Sequence, residues 1–286
     1  MGAGMAANQA KAGIAVSAFD ISAAALETAK ASGCGVAGSA TEAVRGADVV
    51  ITMLPAGEHV RQVFRSDVAP NAAKGALLID CSTIDVDSAR TVAAEMSGLG
   101  FRFADAPVSG GVAAAESGAL TFMVGCADAD YADVEAALKP MAKAVIHAGG
   151  AGAGQSAKIC NNMLLGISML GVAEAFALAE KLGLAPERFF EIASVSSGQC
   201  WSLTSYCPWP GPVPAAPSNR GYEGGFLTSL MLKDLKLAQA AASGAGAATP
   251  MGAQAEALYA LFAGLGFGGK DFSAVLQLMR GKLGEL

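Results

Sequence analysis

The sequence predicts a two-domain α/β protein in which a parallel β-sheet domain precedes an all-helical domain. Residues 1 to 150 alternate short β-branched runs with alanine-rich helical segments, which is the pattern of strands joined by crossover helices. Residues 151 to 286 carry almost no strand signal and show helical periodicity instead. The composition changes at GGAGAG, residues 149 to 154, so we place the domain boundary between residues 150 and 151.

In the first half, the apolar runs predict six strands and the segments between them predict six helices. The expected strands are Ala15 to Phe19, Val49 to Met53, Leu77 to Asp80, Phe101 to Ala104, Leu120 to Val124 and Ala144 to His147. The expected helices are Gly4 to Ala12, Ala23 to Ser32, Thr41 to Arg45, His59 to Phe64, Asp85 to Met96 and Asp130 to Lys139.

Asp20 follows the first of these strands. In a dinucleotide-binding unit, the carboxylate that holds the ribose hydroxyls of the adenosine lies at the tip of the unit's second strand. Asp20 matches that carboxylate if the strand before it is taken as the second strand of such a unit. An acidic residue at this place favours NAD over NADP.

In the second half, five helices are expected, and a proline- and glycine-rich loop over residues 200 to 225 separates the second from the third. The expected helices are Lys158 to Leu182, Pro186 to Ser194, Phe226 to Ala242, Pro250 to Leu265 and Phe272 to Leu283. Such a long loop in a compact domain tends to be functional or to contact a partner.

The longest helical segment, residues 154 to 182, opens with a polar cluster. Lys158, Asn161 and Asn162 lie three and four positions apart, which places them on neighbouring parts of one helical face. From Met163 to Ala179 the only charge is Glu174, so we expect this helix to be buried on nearly all sides in a protein core. The polar turn at its start is the first candidate site.

Composition excludes several other classes of protein. The 286 residues can bury a sizeable core, and a formal charge of −6 with scattered Lys and Arg argues against nucleic-acid binding. The mean hydropathy of +0.43 comes from alanine and short apolar runs, which indicates a soluble protein without a membrane partner.

Cysteine usage suggests a reducing compartment. The six cysteines form no CxxC pair, and His59 and His147 are the only imidazoles, so neither a metal site nor a disulfide framework is expected. No secretory signal is visible at the start, so we expect a cytoplasmic protein.

Several motifs occur together in an order that resembles the 3-hydroxyisobutyrate dehydrogenases, within the β-hydroxyacid dehydrogenase family. The motifs are MGAGMAANQAKAG, FDIS, ITMLPAGEHV, LLIDCSTID, DAPVSGG, GALTFMVGC, GAGQSAKICNN, SSGQCWS, GGFLTSLMLKDLKLA and KDFSAV. The resemblance covers almost the whole chain. It implies a Rossmann-like NAD-binding domain at 1–150, a helical substrate and oligomerisation domain at 151–286, and a long interdomain helix joining them.

The resemblance also implies an activity, the NAD-dependent oxidation of 3-hydroxyisobutyrate to methylmalonate semialdehyde in valine breakdown. SSGQCWS and the loop after it favour this branch over the tartronate semialdehyde reductases, which stay open as an alternative. Family chains open with a strand and GLGNMG, whereas this sequence begins at the last two residues of that motif, Met1 and Gly2. We therefore expect either a sequence that starts late or, less favoured, a non-catalytic oligomer with impaired cofactor binding.

The resemblance assigns roles in the reaction to five residues. Lys158 matches the catalytic lysine, and its alternative is a lysine at the protein surface. Asn162 is expected to bind the substrate, whereas Asn161 either faces the same cavity or caps a backbone group. Ser109, Gly110 and Gly111 are expected to bind the substrate carboxylate through backbone N–H groups, the alternative being an ordinary tight turn.

For the cofactor, the resemblance implies contacts that are spread along the chain. The expected residues are Gly2, Met5, Asp20, Leu54, Pro55, His59, Thr83 and Lys233. Three of them have structural alternatives: His59 as a solvated residue at a helix start, Thr83 as a helix N-cap near Asp85, and Lys233 as half of a solvated charge pair with Asp234. The family usually associates through its helical half, so we expect a homodimer or homotetramer.

Overall fold

Every β-strand of the protein lies in its first 149 residues. The structure, a computed structural model, describes residues 1–286 and divides into two units, Met1–Lys158 and Ile159–Leu286. The predicted fold class, a Rossmann-like α/β domain followed by a helical domain, is confirmed. The boundary between residues 150 and 151 stays a prediction.

The strands of the first unit form two separate sheets. The strands are β1 Ser17–Ala18, β2 Gly35–Val36, β3 Val49–Thr52, β4 Leu77–Asp80, β5 Arg102–Asp105, β6 Val108–Ser109, β7 Leu120–Gly125 and β8 Ala142–Gly149. β1 and β2 pair in parallel as a two-stranded sheet. In the six-stranded sheet β4 lies between β3 and β5, all parallel, while β7 pairs antiparallel with β5 and β6 and parallel with β8.

Seven helices accompany these strands. They are α1 Gly2–Lys11, α2 Ala23–Ala31, α3 Ala40–Val44, α4 Gly57–Val63, α5 Val86–Gly98, α6 Gly111–Ser117 and α7 Tyr131–Leu138. β4 is buried at all four positions, and the large sheet carries one apolar cluster around Ile79 and Phe122 and a second around Leu78 and Phe64. A continuous apolar run such as β4 is expected where both faces of a parallel sheet are covered.

Three elements of the first unit were not predicted. β2 and β6 have two residues each, too few for an alternating pattern to be visible, and α6 begins at Gly111 in a sequence that suggested a turn. The helix predicted to start at His59 starts two residues earlier, at Gly57, and continues as a turn of π-helix over Phe64–Val68.

The second unit is helical, as predicted. Its helices are α8 Ala153–Lys181, which begins in the first unit, α9 Pro186–Ala193, α10 Trp201–Thr204, α11 Thr228–Ala245, α12 Pro250–Phe262 and α13 Val275–Arg280. Phe176, Met231, Tyr259 and Phe262 are fully buried in one core. The predicted last helix is broken: residues 272–274 form a 3₁₀ turn, and Gly281 in the left-handed conformation ends α13.

Helix α8 is less buried than predicted. It is long and apolar enough to cross a membrane, but half of its most apolar stretch is buried within the protein. Met169 and Phe176 on one side belong to the core, while Leu164 and Leu178 are 63% and 60% exposed. The expectation of burial on nearly all sides was wrong, because an apolar composition does not reveal which face lacks a neighbour. Burial of one side is the pattern of a core helix in a soluble protein.

Candidate active site

The segments that follow β3 and β4 are joined by a buried hydrogen-bond network. Thr52 Oγ1 and Ser82 Oγ both donate to Asp80 Oδ1, at 2.7 and 2.6 Å. The Leu54 N–H donates to Ser82 Oγ at 2.7 Å. The predicted cofactor turn at Leu54 and Pro55 is thereby fixed to the segment that leads to Thr83. Because β3 and β4 are parallel neighbours, both segments lie at the edge where a parallel sheet binds nucleotides.

Asp80 organises this network from a fully buried position. Burial raises its pKa from 3.8 to about 6, hydrogen bonds from Ser82 and Thr52 act in the opposite direction, and the charge of Asp105 raises it further. The other carboxylate oxygen, Oδ2, is buried without a hydrogen-bond partner. Sequence reasoning missed Asp80 and Ser82, although a polar residue that closes a buried strand was a usable signal.

The remaining cofactor candidates of the first unit lie in different surroundings. Gly2 begins α1 and Met5 is a buried residue of the same helix, whereas Asp20 is exposed and accepts a hydrogen bond from the Ser22 N–H at 2.8 Å. His59 is exposed in the first turn of α4. The exposed Asp20 carboxylate fits a dinucleotide, because it leaves a polar group open to a ligand.

Thr83 is not a helix cap. Asp85 occupies the N-cap position of α5, where its side chain accepts from the Ser88 N–H at 2.7 Å. The structural alternative for Thr83 was therefore wrong, and its expected cofactor contact stays a prediction.

The Ser109 to Gly111 segment is a turn from strand to helix. Ser109 ends β6, and Gly110 and Gly111 follow with φ angles of 130° and 72° before α6 continues. A side chain at Gly110 would be both strained in this conformation and in contact with the Ala114 side chain. Positive φ angles at two glycines also occur in ordinary tight turns, so the role of the segment in binding a carboxylate stays a prediction.

A buried carboxylate fixes the start of α8. Asp105, at the end of β5, accepts from the Gly152 N–H through Oδ1 at 2.7 Å and from the Gln155 N–H through Oδ2 at 2.8 Å. These bonds satisfy helix N–H groups that have no partner within the helix, and the negative charge suits the positive end of the helix. Burial raises the pKa of Asp105, and the bonds from Gly152 and Gln155 oppose that shift. Sequence reasoning also missed Asp105.

Lys158 lies one turn further along α8 and is buried, with 7% of its surface exposed. The alternative of a surface lysine was therefore wrong. Asn162 is four residues later and 2% exposed, so both side chains leave the same face of the helix. Asn161 is exposed and donates to Asn162 Oδ1 at 3.0 Å.

In the second unit, the side chain of Asn162 is hydrogen-bonded to helix α11. Its Nδ2 donates to Asp234 Oδ2 at 2.5 Å, and Lys233 Nζ lies 3.6 Å from Asp234 Oδ1. The Asp234 side chain is 4% exposed and that of Lys233 is 35% exposed. The alternative of a solvated charge pair was wrong, because Asp234 is buried and serves a second partner. Lys233 as a cofactor contact stays a prediction.

Comparison with known proteins agrees with the fold and the motifs. Residues 1–150 match the family of the NAD binding domain of 6-phosphogluconate dehydrogenase. Residues 152–279 match the NAD-binding domain of NADP-dependent 3-hydroxyisobutyrate dehydrogenase.

Curated relatives match over nearly the full chain. The chain is 47% identical to a probable 3-hydroxyisobutyrate dehydrogenase of Mycobacterium tuberculosis, covering 99% of this chain and 95% of the relative. It is also 47% identical to a 3-hydroxyisobutyrate dehydrogenase of Pseudomonas aeruginosa, covering 99% and 96%. An NAD-dependent L-serine dehydrogenase of the same organism is 46% identical, covering 97% and 94%.

A solved structure of the M. tuberculosis 3-hydroxyisobutyrate dehydrogenase with L-serine superposes with a TM-score of 0.94, covering 98% of this chain and 96% of that one. The predicted family, the oxidoreductase class and the use of a nicotinamide cofactor are confirmed. The chain belongs to the 3-hydroxyisobutyrate dehydrogenase family of NAD(P)-dependent oxidoreductases.

Proposed function

We propose that this protein oxidises 3-hydroxyisobutyrate to methylmalonate semialdehyde with NAD, as a cytoplasmic homodimer or homotetramer that serves valine breakdown. The observation that carries the proposal is the buried pair Lys158 and Asn162, one helical turn apart on α8. A lysine and an amide buried on one face of a helix can act together on a substrate that carries a hydroxyl and a carboxylate.

Lys158 handles the proton of the reaction. Oxidation of the primary alcohol removes a hydride from the carbinol carbon and a proton from the hydroxyl, and a nicotinamide, when bound, would supply the hydride acceptor. The neutral amine of Lys158 takes the hydroxyl proton, and in the reverse direction its ammonium returns that proton to the carbonyl oxygen. A general acid–base group in this position contributes about 10²- to 10⁴-fold to the rate.

Asn162 orients the substrate. Its Oδ1 accepts from Asn161 and one Nδ2 hydrogen goes to Asp234, so the second hydrogen of its amide is the group left to donate to a substrate oxygen. The backbone N–H groups of Ser109, Gly110 and Gly111 hold the substrate carboxylate. Substrate orientation therefore depends on hydrogen-bond donors, as an anionic hydroxy acid requires.

The edge of the parallel strands in the first unit would hold NAD. Asp20 holds the adenosine ribose and disfavours the 2′-phosphate of NADP through charge repulsion. Leu54 and Pro55 contact the nucleotide from the turn after β3, and Thr83 does so from the segment after β4. Further contacts come from Gly2, Met5 and His59.

L-serine is the second candidate substrate, because a relative that is 46% identical is an L-serine dehydrogenase. Serine replaces the methyl group on the α-carbon by an ammonium group, which would need an acceptor. The carboxylate nearest to Asn162 is that of Asp234: its Oδ2 accepts from Asn162, and its Oδ1, which lies 3.6 Å from Lys233 Nζ, is buried and accepts no hydrogen bond. The charge on this α-carbon substituent is the difference that a comparison of the two substrates tests.

The proposal is tested by the NADH formed from 3-hydroxyisobutyrate and from L-serine, with NAD and NADP each supplied in turn. We expect a kcat/KM with NAD at least about tenfold higher for 3-hydroxyisobutyrate than for L-serine, since one misplaced polar group is worth a factor of that size. A higher kcat/KM for L-serine than for 3-hydroxyisobutyrate would contradict the proposed substrate and favour L-serine. Reduction of tartronate semialdehyde by NADH tests the alternative that the protein is a tartronate semialdehyde reductase. Light scattering of the protein as it elutes from a size-exclusion column tests the proposed homodimer or homotetramer.

A further inference from the structure

The side chain of Gln155, in the first turn of α8, binds the backbone of the segment that follows β4. Its Nε2 donates to Ser82 O at 2.7 Å, and its Oε1 accepts from the Ile84 N–H at 3.1 Å. Gln155 is fully buried, so no water competes for these two bonds. One side-chain amide thus holds the backbone on both sides of Thr83.

The two hydrogen bonds of the Gln155 amide have the same pattern as those of a parallel β-bridge. In a parallel ladder, one residue donates to the carbonyl before its partner and accepts from the N–H after it. Here the amide of Gln155 takes the place of that residue, and Thr83 takes the place of the partner. The strand β4 ends at Asp80. The amide therefore holds residues 82 to 84 in place beyond the end of the strand.

The backbone of Gln155 is also fixed by a hydrogen bond within the first unit. Its N–H donates to Asp105 Oδ2 at 2.8 Å. A side chain at the preceding residue, Gly154, would overlap the carbonyl oxygens of Met123 and Asp105, so the helix start lies directly against the sheet. Lys158 follows three residues later on the same helix, almost one turn away.

We propose that Gln155 is a positioning residue that keeps the cofactor-binding segment at Thr83 in register with the catalytic Lys158. This inference rests on the proposed roles of Thr83 and Lys158. Gln155 itself contacts neither substrate nor cofactor. It acts through the backbone of Ser82 and Ile84, and its loss displaces Thr83 while Lys158 stays on its helix.

The first test is the variant Gln155→Met, which keeps the shape of the side chain and removes both hydrogen bonds. We expect the Kd for NADH, measured by fluorescence titration without substrate, to rise at least about tenfold, because two buried backbone groups lose their partners. The matched control is Gln9→Met, since Gln9 is also buried in the first unit and donates to Ala137 O at 2.7 Å. The control loses one buried hydrogen bond rather than two, because Gln9 Oε1 has no partner, and it should keep a Kd within about twofold of the original.

The second test is the variant Gln155→Glu, which separates positioning from general stability. An ionised carboxylate accepts from the Ile84 N–H but cannot donate to Ser82 O, whereas a protonated carboxyl can do both. Burial and the nearby charges of Asp105 and Asp80 favour the protonated form of an introduced carboxyl. We expect its NADH affinity, relative to unsubstituted protein at each pH, to recover as the pH falls from 8 to 5.5, while the deficit of Gln155→Met stays constant.

A Kd that is unchanged in folded Gln155→Met would overturn the inference, and so would a deficit in Gln155→Glu that does not depend on pH. Neither measurement uses a hydroxy acid. Protein that binds NADH but leaves 3-hydroxyisobutyrate unoxidised would therefore contradict the proposed substrate and not the role of Gln155.

Discussion

Asn162 and Asp234 are 72 residues apart in sequence and form a buried hydrogen bond of 2.5 Å between helices α8 and α11. The bond assigns the amide orientation of Asn162, since only its nitrogen can donate to the carboxylate. It also brings Lys233, whose ammonium lies 3.6 Å from the same carboxylate, into one cluster with Asn162. A single buried acid therefore supports two residues with different proposed roles.

Replacing Asp234 should damage substrate binding first. Asp234→Ala leaves a buried amide donor of Asn162 without an acceptor, which lowers the free energy of unfolding by about 1–3 kcal/mol. Asn162 is then free to turn, so we expect the KM for 3-hydroxyisobutyrate to rise at least about tenfold. Steady-state kinetics and thermal melts check both effects. The exposed Glu174 on α8 gives the control variant Glu174→Ala, and equal KM values in the two variants would contradict the role of Asp234.

Loss of the Lys158 amine should abolish proton transfer and spare the cofactor. For Lys158→Ala we expect kcat to fall by about 10²- to 10⁴-fold with a Kd for NAD within about threefold of the original. Rapid-mixing measurements of NADH formation and a binding titration separate the two quantities. Lys181→Ala, at the exposed end of the same helix, should keep full activity. A kcat near the original value in Lys158→Ala would refute the catalytic assignment.

Asp80 should make the first unit less stable as the pH rises. Its pKa is raised from 3.8 to about 6 by burial, so the folded protein binds more protons than the unfolded chain between these values. The stability that comes from protonating Asp80 is present below pH 3.8 and is lost as the pH rises through 6. A shift of about two units corresponds to roughly 3 kcal/mol.

The variant Asp80→Asn removes this dependence. We expect it to match the original protein near pH 4 and to exceed its free energy of unfolding by up to about 3 kcal/mol at pH 7 to 8, as measured by urea unfolding. Glu27→Gln, which removes an exposed carboxylate, serves as the control. A stability difference that stays constant from pH 4 to 8 would argue against the shifted pKa.

Asp20 should decide between the two nicotinamide dinucleotides. Its carboxylate is exposed and receives a hydrogen bond from the Ser22 N–H, so it is held in place for a ligand. Asp20→Ala removes the charge that repels a 2′-phosphate, and we expect the ratio of kcat/KM for NADP over NAD to rise at least about tenfold. An unchanged ratio would mean that another residue selects the cofactor.

Local patterns in the sequence were enough to predict the alternation of strands and helices, because periodicity depends on near neighbours. Lys158 and Asn162 were identified because they share one helix. Asp80, Asp105 and Gln155 were missed, because their partners lie 28 to 73 residues away and come close only when the sheet and α8 assemble. A carboxylate that closes an apolar run marks the residue as a candidate, but the local sequence does not show which distant groups it will bind.

The short strand pairing next to Asp20 affects which substitutions the protein tolerates there. β1 is a two-residue strand in a two-stranded sheet, and Asp20 and its neighbours Phe19 and Ile21 are exposed. Substitutions here disturb little buried structure, so most of them leave the free energy of unfolding within about 0.5 kcal/mol. The proposed selection of the dinucleotide by Asp20 therefore depends on a residue whose replacement the fold tolerates, whereas changes at Lys158 or Asp105 alter buried contacts.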